Sequence, residues 1–190
     1  RRRDGQVFFW LSLGGAYEWE LWRSDGTGAG TRQVTHLGGH PLDAPRLYPI
    51  RGQVFFLLPI RNSDGPDTVD LWQSDGTPEG TGKAFDLPSE MGYISSLHAV
   101  GDEIYFVTHS EASPLQIWRS DGTAAGTRQI LAGSYSFEEP FRFARTASAV
   151  IFFAQGTYPS PTGRLWKTDG TAAGTSYVAD LPHRAYGGNR

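Results

Sequence analysis

The chain has 190 residues, a formal net charge of −3, 19% charged and 13% aromatic residues, and no cysteine. That length holds one sizeable core. The charge gives no basic footprint for nucleic acid, and the missing cysteine excludes disulfides and thiol chemistry. No apolar run approaches the roughly 18 residues that a membrane-spanning helix needs.

Taken from the N-terminus, one pattern returns four times. A first apolar run, Val7-Phe8-Phe9-Trp10, is matched later by Val54-Phe55-Phe56-Leu57, Ile104-Tyr105-Phe106-Val107 and Ile151-Phe152-Phe153. These runs are apolar on both faces, the mark of a buried strand. Next comes Glu20-Leu21-Trp22-Arg23-Ser24-Asp25-Gly26-Thr27-Gly28-Ala29-Gly30-Thr31, with further copies around Trp72, Trp118 and Trp166. Adjacent Leu and Trp point to opposite faces of a strand. Both faces are therefore expected to be covered, with the four tryptophans in the core between neighbouring sheets.

Asp25-Gly26 and its copies Asp75-Gly76, Asp121-Gly122 and Asp169-Gly170 are turn dipeptides: Asp bonds a backbone N–H two residues on, and Gly tolerates positive φ. The Thr-x-x-Gly that follows suits a type I turn with Gly at its fourth place, and Gly126 is expected at positive φ. A further strand carries Val34, Ala84-Phe85, Ile130-Leu131 or Tyr177-Val178, and a last one Arg46–Ile50, Ile94–Leu97 or Phe141–Phe143. Four short strands in each period near 48 residues is the blade of a β-propeller.

The predicted fold is therefore all-β: a propeller of about four 4-stranded blades, either whole or part of a larger ring. One repeat domain, 1–190, divides into repeats 1–42, 43–89, 90–138 and 139–190. The first repeat has no readable opening strand, and the tail Pro182–Arg190 has no Ile, Leu or Val, so fifteen strands are expected. The exposed edge this leaves points to further repeats of a longer parent or a second copy. The chain starts without Met or a signal peptide and reads as mature, trimmed or a piece of something longer.

The repeated stretch resembles the bacterial ELWxxDGT repeat family, and its four copies cover nearly the whole chain. The leading Glu stands only at Glu20, with Asp70, Gln116 and Arg164 in the other copies, which argues against a shared catalytic role. The resemblance implies a propeller-like fold and a secreted or cell-surface bacterial setting. The turn also resembles the Asp-box of sialidases, a hairpin staple.

Trp22, Asp25, Gly26, Trp72, Asp75, Gly76, Trp118, Asp121, Gly122, Trp166, Asp169 and Gly170 are thus read as structural. The alternative for the four Asp is calcium ligation, but one carboxylate per turn falls short of the 6–8 oxygens that calcium takes; no cofactor is expected. His36 and His40 lie in a loop rather than on one helix face, and no metal site is assigned. Acidic pairs such as Asp64 with Asp67, or Glu138 with Glu139, are read as surface charge, with glycosidase acid and base as the alternative.

Length variation gathers between the first apolar run and its tryptophan, which makes one rim variable. Candidate ligand contacts there are Tyr17, Trp19, Asp64, Asp67, Tyr93, Tyr135, Phe137 and Tyr158. The functional expectation is a non-enzymatic extracellular binding or scaffold module for a protein or glycan. The alternatives are a carbohydrate-binding lectin-type propeller and a propeller glycosidase.

Overall fold

The computed structural model describes residues 5–12, 18–37, 44–60, 68–86, 91–109, 115–133, 137–156 and 163–181. They form two compact units, Arg1–Leu87 with Gly122–Ala124, and Pro88–Asp121 with Ala125–Arg190. The fold is an all-β propeller of four antiparallel blades. In the first unit, β1 (Val7–Leu11), β2 (Trp19–Ser24) and β3 (Arg32–Leu37) make one sheet. A second is made by β4 (Tyr48–Ile50), β5 (Gln53–Ile60), β6 (Thr68–Ser74) and β7 (Gly82–Lys83).

The second unit holds β8 (Tyr93–Val100), β9 (Glu103–His109), β10 (Leu115–Ser120) and β11 (Arg128–Gly133). Its other sheet is β12 (Phe137–Arg145), β13 (Val150–Gly156), β14 (Gly163–Thr168) and β15 (Ser176–Leu181). Among the described residues three blades have four strands and the first has three. The tail 182–190 lies outside the described residues.

Each tryptophan faces a phenylalanine across the sheet: Phe9 with Trp22, Phe56 with Trp72, Phe106 with Trp118 and Phe152 with Trp166. This register sharpens the repeat. Trp22 to Phe56, Trp72 to Phe106 and Trp118 to Phe152 each span 34 positions, so Phe152 and not Phe153 is the fourth member. Phe106 and Trp118 stack at 6.3 Å and 7°, and Phe152 and Trp166 at 6.2 Å and 6°.

The core belongs more to the leucines than to the tryptophans. Leu21, Leu71 and Ile117 are fully buried, whereas Trp22, Trp72 and Trp118 are half-buried and Trp166 alone is buried. The four tryptophans, expected largely buried between blades, are thus the partly covered members of the pair, with Trp166 and Trp72 packed in the inter-blade clusters. An indole carries an N–H that must find an acceptor, and Leu does not. Trp22 Nε1 donates to Glu20 Oε2 at 2.9 Å, and Trp118 Nε1 to Thr108 Oγ1 at 3.0 Å.

Within each unit the same two faces meet. In the first, Leu21 and Val34 with Phe8 and Trp10 pack on Phe56, Leu58 and Trp72. The Trp10 and Phe56 rings meet edge to face at 5.2 Å. In the second, Tyr105, Val107, Ile117 and Ile130 pack on Val150, Phe152, Ala154 and Trp166. The rule is that the Leu face of one blade covers the Trp face of the next. A β-bulge beside the Leu–Trp pair recurs in three blades and turns Val34, Ile130 and Val178 onto the Leu side of the last strand.

The repeated turn is a closed hydrogen-bond device. Asp25 Oδ1 accepts from the Thr27 N–H at 2.9 Å and from Thr27 Oγ1 at 2.7 Å, and Thr27 Oγ1 accepts from the Gly30 N–H at 2.9 Å. Thr31 Oγ1 gives its proton to Thr27 O at 2.6 Å, so in its 2.6 Å contact with Ser24 the serine must donate. Ser24 Oγ in turn accepts from the Gly26 N–H at 3.0 Å. The same bonds recur from Ser74 to Thr81 and from Thr168 to Thr175.

The two glycines of the turn serve different ends. Gly26, Gly76, Gly122 and Gly170 hold φ between 89° and 97°, where a side chain is strained. Gly126 is not among the positive-φ residues, which corrects the expectation for it. It is small because a Cβ there would lie 1.9 Å from Asp121 Oδ1. Gly30, Gly80 and Gly174 are each roofed by the carboxylate of their own Asp in the same way. The tight turn is also set one residue later than expected: the Thr31 N–H donates to Gly28 O at 3.4 Å, and Thr81 to Pro78 O at 3.2 Å.

Candidate functional site

The motif position occupied by Glu20 is a pairing site. Glu20 lies 3.9 Å from His36, Asp70 is 3.2 Å from Lys83, Gln116 accepts from Gln129 at 2.9 Å, and Arg164 is 3.7 Å from Asp180. The residue types change while a polar partner on the following strand is always present. Cross-strand pairing explains this position without catalysis.

A pocket of about 280 Å³ opens in the second unit, where β9 begins, β12 turns into β13 and β14 ends. Glu103, Tyr105, Arg145, Ser148 and Asp169 line it. Glu103 is anchored on both oxygens: Arg119 Nη2 donates to Oε1, and Tyr105 OH donates to Oε2 at 3.1 Å. The Tyr105 ring is buried and stacks on Phe143 at 5.2 Å, which fixes its hydroxyl at the pocket floor.

The turn that carries Ser148 is tied at its base. The Thr146 N–H donates to Ala149 O at 2.8 Å, and Thr146 Oγ1 accepts from the Ala149 N–H at 3.1 Å. Arg145 is exposed, lies over Gly101, and makes no ion pair or hydrogen bond among the described residues.

Electrostatics keep both pocket carboxylates ionised. Burial pushes the Glu103 carboxyl up, but the Arg119 hydrogen bond and charge, helped by Tyr105 and Arg145, outweigh it, and the net shift is below the ordinary 4.5. The Thr171 hydroxyl, then its backbone N–H, hold Asp169 below 3.8. Asp25 and Asp75 are lowered likewise by Thr27 and Thr77. Burial, and then Glu103, push the Tyr105 phenol up. The pocket thus offers fixed anionic acceptors, a guanidinium and hydroxyls, a set suited to a hydroxyl-rich ligand.

Carboxylates whose pKa is depressed by folding stabilise fully above their unfolded pKa and lose that contribution as pH falls through the folded value. The melting temperature should therefore hold from neutral pH to about 4.5 and then fall. In Asp169→Asn the fall should be shallower; an acid limb identical to that of the parent would refute this role for the turn carboxylates.

Of the ligand contacts expected from sequence, Trp19 opens β2 and is half-buried, paired with Leu37. Tyr93 opens β8, is 56% exposed and stacks on His109 at 5.6 Å. Phe137 opens β12 opposite Gly156. These three lie at the strand ends opposite those that form the pocket within a blade. Tyr17, Asp64, Asp67, Tyr135 and Tyr158 lie outside the described residues, as does His40. Glu138 pairs with Gln155 in β12.

Among the described residues no group of three or more His, Asp or Glu is placed to hold a metal ion. In the turns the Asp Oδ1 that calcium would take accepts two bonds from Thr. No helix among the described residues is long and apolar enough to cross a membrane. Sequence reasoning missed Glu103, Arg119 and Arg145. Arg119 sits in the repeated motif beside its Trp, at the place of Arg23, and an Arg there was the available signal.

No family model matches the sequence, and no curated protein matches it. Among solved structures, a thermostable family-43 glycoside hydrolase superposes with a TM-score of 0.51 at 12% identity, over 96% of this chain and 71% of that one. The likeness is one of fold. An endo-arabinase from Bacteroides thetaiotaomicron gives a TM-score of 0.48 at 12% identity, over 94% and 77% of the two chains. The expectation of a non-enzymatic binding or scaffold module is corrected here. The solved propeller whose fold this chain shares is a glycoside hydrolase and not a binding or scaffold module.

Proposed function

We propose that this propeller is directed at carbohydrate. The observation that carries the reading is the shared fold with a glycoside hydrolase. The polar pocket of Glu103, Arg145, Ser148 and Asp169 supports it as a place for sugar hydroxyls. Hydrolysis is the form of the reading that the fold favours. Binding without turnover is the second form, favoured by the guanidinium, hydroxyl and carboxylate lining of that pocket. The setting proposed is bacterial and extracellular, secreted or at the cell surface, in keeping with the resemblance of the repeats.

A glycan array together with a panel of reporter glycosides tests both forms. Arg145→Ala should weaken glycan binding at least tenfold, about 1.4 kcal/mol, with little change in melting temperature, because Arg145 is exposed and makes no ion pair or hydrogen bond among the described residues. Reporter turnover by the parent chain would establish the hydrolytic form. If binding survives Arg145→Ala and is lost with Tyr93→Ala, the ligand sits at the opposite strand ends. Silence on both panels would sink the carbohydrate reading.

A further inference from the structure

The pocket of the second unit is lined where the repeat breaks. Strand register fixes which residues are equivalent. Glu103 and Tyr105 stand where the first blade has Gln6 and Phe8, the second Gln53 and Phe55, and the fourth Ala149 and Ile151. Arg145 pairs with Val150 where Pro49 pairs with Val54 and Ala99 with Ile104. Three positions that carry no ionisable group in the other blades therefore take one here, and all three meet in one pocket.

The fold does not ask for these groups. A Cβ on Gly76 would meet Arg23 at 2.8 Å and Phe8 at 3.2 Å, and one on Gly170 would meet Arg119 at 3.6 Å and Tyr105 at 3.8 Å. The motif arginine thus packs against the turn of the next blade in both units. In the first unit it does so with neither a carboxylate nor a phenol: Arg23 Nε is buried with no hydrogen-bond acceptor among the described residues.

The groups that the pocket leaves uncommitted define its ligand. Glu103 is held by Arg119 and by the Tyr105 hydroxyl, Thr146 Oγ1 both donates to and accepts from Ala149, and Asp169 Oδ1 is taken by Thr171. Among the described residues the Arg145 guanidinium, the Ser148 hydroxyl and Asp169 Oδ2 make no hydrogen bond. Arg145 lies over Gly101, whose positive φ of 65° and missing side chain leave it room. A guanidinium never loses its charge, and its fork of N–H donors fits the two oxygens of a carboxylate. A neutral sugar brings only hydroxyls and leaves that charge unmet.

We infer that the pocket takes an acidic sugar, a uronic acid unit whose carboxylate sits on Arg145 and whose hydroxyls meet Ser148, Asp169 Oδ2 and the lone pairs left on Glu103 and Tyr105. This rests on the carbohydrate reading above and narrows it from sugars in general to uronates.

Titration calorimetry tests it with short galacturonate and glucuronate oligomers, each beside the neutral galactose or glucose oligomer of the same linkage. A uronate should bind at least about tenfold tighter than its neutral counterpart, the size of one hydrogen bond to a charged group, and the gap should shrink with salt. Arg145→Gln should close the gap by weakening the uronate alone, and Arg145→Lys, a charge without the fork, should keep part of it. Glu103→Gln/Tyr105→Phe restores the residues of the first two blades, so it should stay folded by circular dichroism and bind every oligomer more weakly. Unchanged affinity in that variant would overturn the claim that the broken repeat serves a ligand. Neutral oligomers bound as tightly as uronates, with Arg145→Gln weakening neither, would overturn the acidic-sugar assignment and leave the carbohydrate reading standing. Silence towards every sugar, acidic and neutral, would sink both.

Discussion

Phe152→Ala should cost about 3–5 kcal/mol of folding free energy, the range for truncating a buried aromatic ring. The ring has no exposure, stacks on Trp166 at 6.2 Å and on Phe143 at 5.3 Å, and sits in the core between the two blades of its unit. Phe9 holds the same repeat position in the first blade and is 37% exposed. Phe9→Ala should cost under about 1.5 kcal/mol, since more than a third of that residue is already open to water. Urea denaturation of the two variants makes the comparison. Equal losses would show that the Trp face of the first blade is covered as well as that of the fourth, or that neither Phe packs as described.

Gly174→Ala should be the next most damaging single change. The added Cβ would lie 2.1 Å from the Asp169 carboxyl, and backbone conformation is not the obstacle, for Gly174 is not at positive φ. Something must move, and overpacking of this kind costs about 1–3 kcal/mol. The carboxylate is the group that yields, and with it go the two Thr171 bonds to Oδ1, each worth about 1 kcal/mol. The mechanism makes a sharper claim than the size. With the carboxylate gone, Gly174→Ala has nothing to strike, so Asp169→Ala/Gly174→Ala should be no less stable than Asp169→Ala alone. Additive losses in that cycle would place the clash elsewhere.

The architecture was legible because its signals are local. Asp25-Gly26 and its copies mark the turns, the aromatic runs mark the second strands, and a fixed interval joins one blade to the next. The repeat did not tell which of the two neighbours lies deeper. Trp22 and Trp118 are partly covered, Leu21 and Ile117 beside them are the fully buried residues, and the indoles reach out to Glu20 and Thr108.

The pocket was not legible at all. Glu103, Arg145 and Asp169 come from a strand start, a hairpin and a repeated turn, and no spacing rule connects them. Asp169 was read as structural, and it is, through Oδ1; its place beside Glu103 is a matter of packing between sheets. Function suffered most. Most of the repeated residues serve turns, cross-strand pairs and core, and the repeat lends the pocket only Asp169 and, through Glu103, Arg119.

Identical segments along one chain carry a hazard that unrelated segments do not: a strand can find the wrong partner. The turn from Ser24 to Thr31 guards against this, because none of its bonds joins residues more than seven positions apart. Local hairpins close on a scale of about 1–10 μs, well ahead of contacts that must bring distant parts of the chain together. Each Trp strand is thus committed to its own neighbour before another copy of that neighbour comes within reach. The hydroxyl and carboxylate network is, in this sense, a device for fidelity of assembly.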